Sequence, residues 1–406
     1  MDLSISIAIS VSYITTLFQF YLLQTVQFDQ AYNIISWNRW FLSTLGIWPM
    51  KINWPLFVFF CSYTVIHCSM GAAHLIKYFS QPEYIVANLT ENVLFVMIVG
   101  KMLICQRSRG IMIEFLNAIQ SDFLIKNYSS IREKTLYLRY NEFALIFIKV
   151  SIGLAGLAAS LYFIERFFDS WSAISSHNAS YQLPYQTYPF FEIQDMTTYF
   201  CLCAYQAIAV PVIVCGYSAP DSFVLSMALH ICGQLAVLSS KIEDLLKDHV
   251  NYNRHIGTIV LRHRKLITLA DILENNFNMI FLQQTLGTVF LLCLTTYHTL
   301  ANSEYGDNTT TVIFMLYTCC VVSTILAYCY IGECLITESA KLRDTFYNTD
   351  WYNNPPSYAK MLSFCMTRSE KPLVLTVGKF CMLSLSTFTN IVKTSMGYLS
   401  MLRHFL

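Results

Sequence analysis

Cysteine and histidine offer this chain its widest chemistry, with fourteen of the first and nine of the second. Their spacing supports none of it. There is no Cys-x-x-Cys pair and no His-Glu-x-x-His or comparable metal pattern. No nucleophile stands beside a base in a recognisable constellation either, so an enzyme has no support in the sequence and no cofactor is implied. The cysteines fall in apolar stretches or in basic loops, where they act as small packing residues. His249, His255 and His263 lie in a charged loop and read as solvated or structural. Glu91 is different. It stands inside an apolar stretch, where a carboxylate is costly enough to be a functional candidate, although it lies near an edge where it can also face headgroups. Lys149, Lys379 and Lys393 can carry their charge outward along the apolar stem. The most suggestive spacing is at the C-terminal end. On a helix turning about 100° per residue, Thr387, Asn390, Thr394, Gly397 and Met401 share one face to within about 40°, with Leu385, Phe388, Val392 and Leu399 opposite. Such a stripe suits a helix lining a water path, and equally one that bonds a neighbouring helix.

The elements that must position these residues follow from composition. Of 406 residues, 55% are apolar and 13% charged, with a mean hydropathy of +0.46, whereas soluble domains carry roughly 25% charged residues. Stretches of about twenty residues with almost no charge match the thickness of a bilayer core. They do not alternate as the strands of a membrane barrel do. The sequence therefore predicts an all-α, seven-transmembrane helical membrane protein with spans at 55–76, 84–105, 142–165, 198–218, 277–300, 311–335 and 373–402. A net charge of +1, with no basic run interleaved with aromatics, gives no nucleic-acid partner.

Basic residues orient the spans. The loops 106–141, 240–276 and 336–372 hold seventeen lysines and arginines, and the loops between them hold two, Lys77 and Arg166. The three basic loops are thus assigned to the cytoplasm, with the N-terminus inside and the C-terminus outside. Glycosylation sequons at Asn178 and Asn308 fall in loops assigned outside, while those at Asn88 and Asn127 are expected to be unused. Residues 219–240 are apolar enough to span but would invert everything after them. They are read as a cytoplasmic continuation of the fourth helix, with its apolar face buried in protein. Residues 3–23 lack the positive start of a signal peptide and read as an amphipathic or re-entrant segment. The chain then divides into an N-terminal cytoplasmic or amphipathic segment (1–54), transmembrane helices 1–4 (55–218), a cytoplasmic anchor region (219–276), helices 5–6 (277–335), a second cytoplasmic anchor region (336–372) and a last helix (373–406).

The inverted topology excludes a G-protein-coupled receptor and, with several motifs, resembles the insect odorant-receptor family. The likeness is strongest in Lys371-Pro372-Leu373-Val374-Leu375-Thr376-Val377-Gly378-Lys379-Phe380, followed by Ser384, Phe388, Lys393-Thr394-Ser395 and Tyr398. Asn38-Arg39-Trp40, Leu45-Gly46-Ile47-Trp48-Pro49, Asp221-Ser222-Phe223, His230 and Gln234-Leu235 also fit. Together the likeness spans residues 28 to 405.

This resemblance implies a ligand-binding, tuning-type subunit of an odorant-gated, non-selective cation channel in the plasma membrane of a sensory dendrite. Its partner is a co-receptor subunit in a heterotetramer, and this chain lacks the long insertion that marks the co-receptor. The last helix becomes the pore wall, with Met401 at the apolar gate near Tyr398. A pocket for a small volatile ligand lies among spans two, three, four and six, lined by some of Leu94, Phe95, Gly153, Leu157, Tyr162, Cys203, Ala207, Phe314 and Tyr317. A gustatory receptor shares the topology and differs only in the motifs. A transporter requires internal repeats and paired broken helices, which one proline, Pro211, does not supply.

Overall fold

The computed structural model describes residues 32–405 except 81, 124–127, 129, 176–180, 192, 246–251, 306–307, 350 and 354–355. The segment 3–23 and the sequons at Asn127 and Asn178 lie outside the described residues. A helical run over 32–44 (α1) leads into α2 (Trp54–Lys77), α3 (Pro82–Arg107), α4 (Arg109–Asp122) and α5 (Ile131–Ser175). These are followed by α6 (Met196–Ala207), α7 (Ala209–Leu245), α8 (Tyr252–Tyr305), α9 (Asn308–Tyr347) and α10 (Pro356–Ser369). A hairpin of β1 (Thr376–Val377) and β2 (Cys381–Met382) precedes α11 (Leu385–Phe405).

Among the described residues, six helical stretches are long and apolar enough to cross a membrane: α2, α3, α5, the α6–α7 rod, α8 and α9. Several run well past the bilayer. At 1.5 Å per residue, α5 is about 68 Å long and α8 about 81 Å, against a hydrocarbon core of about 30 Å. The excess length builds a second bundle at the end of the molecule that carries the basic connections. Helix α7 is its axis. Every residue from 215 to 240 is buried; its apolar side chains pack against neighbouring helices, and its polar ones, Asp221, His230 and Gln234 among them, are paired inside the protein. Pro220 sits inside α7 without ending it. The fourth helix thus continues through 219–240.

The last expected span begins later than the sequence suggests. Residues 373–384 are apolar but not helical; Val377 pairs with Cys381 and Thr376 with Met382 in the antiparallel hairpin. Gly378 and the following Lys379 both take positive φ, 56° and 69°, a conformation open to glycine and rare for lysine. Glu274 of α8 holds this turn in place. Its carboxylate accepts the Thr376 amide at 2.8 Å and the Thr376 hydroxyl, and pairs with Lys379 Nζ at 3.0 Å. Glu333 of α9 accepts the Leu385 amide at 3.2 Å, satisfying one free donor at the start of α11. Gly332 completes the seat, since a Cβ there would run into the Leu383 carbonyl.

Asp122, at the end of α4, ties the second bundle together. Arg262 of α8 donates to both its oxygens, at 2.9 and 2.6 Å, and His230 Nε2 of α7 lies 3.2 Å away. The other ring nitrogen of His230 meets the Tyr137 hydroxyl of α5 at 2.9 Å, and Arg262 also donates to Gln234 at 2.7 Å. Burial works to raise the Asp122 carboxyl, but hydrogen bonds from His230 and Arg262 outweigh it and hold the group well below the usual carboxylate range. A depressed carboxyl contributes stability above its unfolded value near 3.9, so the contribution is present at neutral pH and lost as pH falls below about 4. Asp122→Ala is expected to cost about 2 kcal/mol, less than a fully buried pair because Arg262 keeps partial access to water. Thermal unfolding of detergent-solubilised protein at pH 7 checks this, and an unchanged melting temperature contradicts it.

Candidate functional site

A cavity of about 70 Å³ lies among α3, α5, α7 and α9. Each helix contributes one face at helical spacing. From α3 come Ala87, Thr90, Glu91, Leu94 and Phe95; from α5 come Ala155, Ala158, Ala159 and Tyr162. Helix α7 gives Ile213 and Tyr217, and α9 gives Ile313, Phe314, Tyr317 and Cys320. The volume exists because three alanines stand where leucines of α5 could have filled it.

The roof is not helical. Tyr185, in the connection between α5 and α6, reaches the cavity, and buried polar groups fold its segment inward. Gln206 accepts the Tyr185 amide at 3.0 Å and donates to the Tyr185 carbonyl at 3.1 Å. Asn88 donates to the Gln186 carbonyl at 2.9 Å, and Tyr188 bonds the Met70 carbonyl at 3.0 Å. Glu91 joins roof to wall, accepting the Gln186 amide at 2.8 Å on one oxygen and the Tyr162 hydroxyl on the other. Asn88 is buried and engaged in the fold. Asn308 is exposed at the first residue of α9.

Five of the nine residues expected in a pocket line this cavity: Leu94, Phe95, Tyr162, Phe314 and Tyr317. Four do not. Gly153 and Leu157 face outward, Leu157 being 49% exposed and Gly153 having open space around it, because α5 turns its alanine stripe inward instead. Cys203 and Ala207 sit on α6, above the level at which the fourth helix meets the cavity through Ile213 and Tyr217. Glu91 lies on the wall, engaged within the protein rather than turned to a headgroup.

Beneath the floor is a polar cluster with little sequence warning. Lys101 of α3 is fully buried and pairs with Asp221 of α7 at 2.7 Å. It also donates to Gln284 of α8 at 2.7 Å and to the Tyr217 carbonyl at 3.3 Å, so all three ammonium donors are used. Tyr328 of α9 donates to Asp221 at 2.7 Å, and Gln284 donates to the Tyr217 hydroxyl at 2.8 Å. Tyr217 therefore belongs to both cavity floor and ion pair.

On α11, Ile391 and Ser395 are buried against the rest of the chain, while Asn390, Thr394, Gly397, Tyr398 and Met401 are exposed and Thr387 half-exposed. The polar stripe lies within a broader uncovered surface that also includes Ser386, Thr389, Lys393, Met396 and Ser400. Leu385, expected opposite it, is also exposed.

The family model described as 7tm Odorant receptor matches residues 81–396. The chain belongs to the odorant receptor family. Relatives within it are distant. Odorant receptor 22c of Drosophila melanogaster is 23% identical over 48% of this chain and 50% of its own, and Odorant receptor 10a is 21% identical over 61% of each. The chain thus aligns with half to three fifths of these relatives' length. The structure of the insect olfactory receptor OR5 from Machilis hrabei in complex with eugenol superposes with a TM-score of 0.78 at 15% identity, covering 93% of this chain and all of that one. The same receptor described without that ligand gives 0.71 over 86% of this chain. The fold is therefore that of an insect olfactory receptor, a multi-pass helical membrane protein.

Proposed function

We propose that this odorant receptor is the ligand-binding subunit of a heteromeric, odorant-gated, non-selective cation channel in the plasma membrane of olfactory neurons. The observation that carries the reading is the largely apolar cavity among α3, α5, α7 and α9, whose walls suit a small volatile molecule. The basic connections favour an N-terminus in the cytoplasm, a C-terminus outside and a second bundle beneath the membrane, where it can meet a co-receptor subunit. Helix α11 then serves as a seventh span. Its uncovered stripe of Asn390, Thr394 and Gly397 lines the ion path, and Met401 narrows it. Asn308, exposed at the outer end of α9, is the glycosylation site this topology favours.

Contacts link ligand to pore. The floor residue Tyr217 is bonded to Gln284 and lies against Lys101; Lys101 holds Asp221, which holds Tyr328 of α9. One turn further along α9, Gly332 and Glu333 seat the segment that begins α11. A ligand opens the pore only through contacts it makes differently in the closed and open states; this chain of contacts is the route by which such a difference at Tyr217 reaches α11.

Currents recorded from cells expressing the chain with and without a co-receptor, during exposure to an odorant panel, test the reading. Odorant-evoked cation current that needs both subunits supports it; no current under any condition refutes it. In the same recordings Met401→Ser is expected to raise basal current severalfold by wetting the constriction. Unchanged basal and evoked currents at normal surface expression count against Met401 as the gate.

A further inference from the structure

Among the residues that line the largely apolar cavity are buried polar groups whose hydrogen-bonding capacity the fold leaves unused, and that excess has a definite chemistry. Glu91, half-buried on the wall, accepts one hydrogen bond on each oxygen, from Tyr162 and from the Gln186 amide. Each oxygen retains a lone pair. Two tyrosine hydroxyls complement it. Tyr185, 2% exposed, and Tyr317 both line the cavity, and the hydroxyl oxygen of each is buried without a hydrogen-bond partner. The Tyr185 ring packs beside Tyr162, the residue that donates to Glu91, with ring centroids 5.6 Å apart. A buried hydroxyl left unpaired is costly, and a ligand that pairs it recovers that cost. The roof tyrosine cannot easily turn away, because Gln206 fixes its backbone on both sides.

We propose that this cavity selects small apolar molecules bearing a single hydroxyl group, alcohols or phenols, over hydrocarbons, aldehydes and amines of the same skeleton. The inference rests on the ligand-binding reading of the cavity and names its ligand class. A hydroxyl is the group that can donate to Glu91 while accepting from Tyr185 or Tyr317. An aldehyde accepts from a tyrosine but offers Glu91 nothing. A protonated amine donates to Glu91 but accepts nothing, and pays heavily to leave water. A hydrocarbon leaves the whole set unsatisfied. Sites built around a hydroxyl discriminate strongly against analogues lacking it, for this reason.

The test uses matched probes on cells expressing the full chain with a co-receptor: benzyl alcohol, benzaldehyde, benzylamine and toluene, and 1-hexanol, hexanal, hexylamine and hexane. In each set the alcohol is expected to activate at a concentration at least tenfold lower than any of its three analogues. Tyr185→Phe, Tyr317→Phe and the double variant are the informative changes, since neither hydroxyl bonds anything within the protein and the fold does not depend on them. The double variant is expected to lose at least tenfold in potency for the alcohols while toluene and hexane are unaffected or gain, with surface expression unchanged. Equal potency of alcohol and hydrocarbon, or an alcohol preference that survives the double variant, overturns the hydroxyl assignment and leaves the ligand-gated reading standing. Responses to the aldehyde or amine alone do the same. Silence to every probe in both sets overturns the two together.

Discussion

Lys101→Met is expected to destabilise the protein by about 3–5 kcal/mol, because it removes one partner of a buried ion pair and leaves the other charged and unsatisfied. Lys101 and Asp221 are 0% and 1% exposed and 2.7 Å apart, so water can compensate neither. The loss extends further, since Gln284 and the Tyr217 carbonyl also give up their donor. Asp221→Leu alone is expected to cost a similar amount by stranding the ammonium. The double variant Lys101→Met, Asp221→Leu removes both charges and is expected to recover much of the loss, as buried pairs replaced by apolar groups often do. Thermal unfolding in detergent and surface labelling of cells provide the readouts. If the lysine variant alone melts and traffics like the parent, the cluster does not hold the four helices together. If the double variant folds but no longer responds to ligand, the pair serves transmission from the cavity floor as well as stability.

How far the sequence discloses all this depends on where each signal lies. Long charge-poor stretches locate α2, α3, α5, α8 and α9, and the buried run 215–240 is legible because it is apolar enough to span yet cannot cross the membrane without displacing the basic loops. The rotation of α5 is not legible. Between residues 151 and 164 nearly every position is apolar or small, so no periodicity says whether Gly153 and Leu157 or Ala155, Ala158 and Ala159 face the interior. Residues 373–384 have the composition of a span, and only Pro372 and Gly378 hint that the chain turns there before α11 begins. Lys101 lies so close to Arg107 that it reads as the cytoplasmic fringe of α3, and its partner Asp221 is 120 residues away. Tyr185 belongs to a connection rather than a span; what folds it inward is the amide side chains of Asn88 and Gln206, buried where apolar residues are the rule. Those two residues were the available signal.

Ala159→Leu is expected to reduce ligand potency by about ten- to a hundredfold. Ala159 is buried on the cavity wall, and three further carbon atoms at that point occupy much of a volume of about 70 Å³. The ligand must then displace packed side chains, at a cost comparable to overpacking a core, about 1–3 kcal/mol and more for a bulky ligand. The protein itself is expected to tolerate the change, since the added atoms enter space already present. Gly153→Leu, on the outward face of the same helix with nothing near its Cβ, is the matched control and is expected to leave responses within about twofold, as surface changes away from special features usually do. Odorant concentration–response curves for the parent, Ala159→Leu and Gly153→Leu, taken at equal surface expression with a co-receptor present, put the whole account at stake. Loss of response in the first variant and a parental curve in the second is the predicted result. A parental curve in Ala159→Leu means that the molecules which open this channel bind elsewhere.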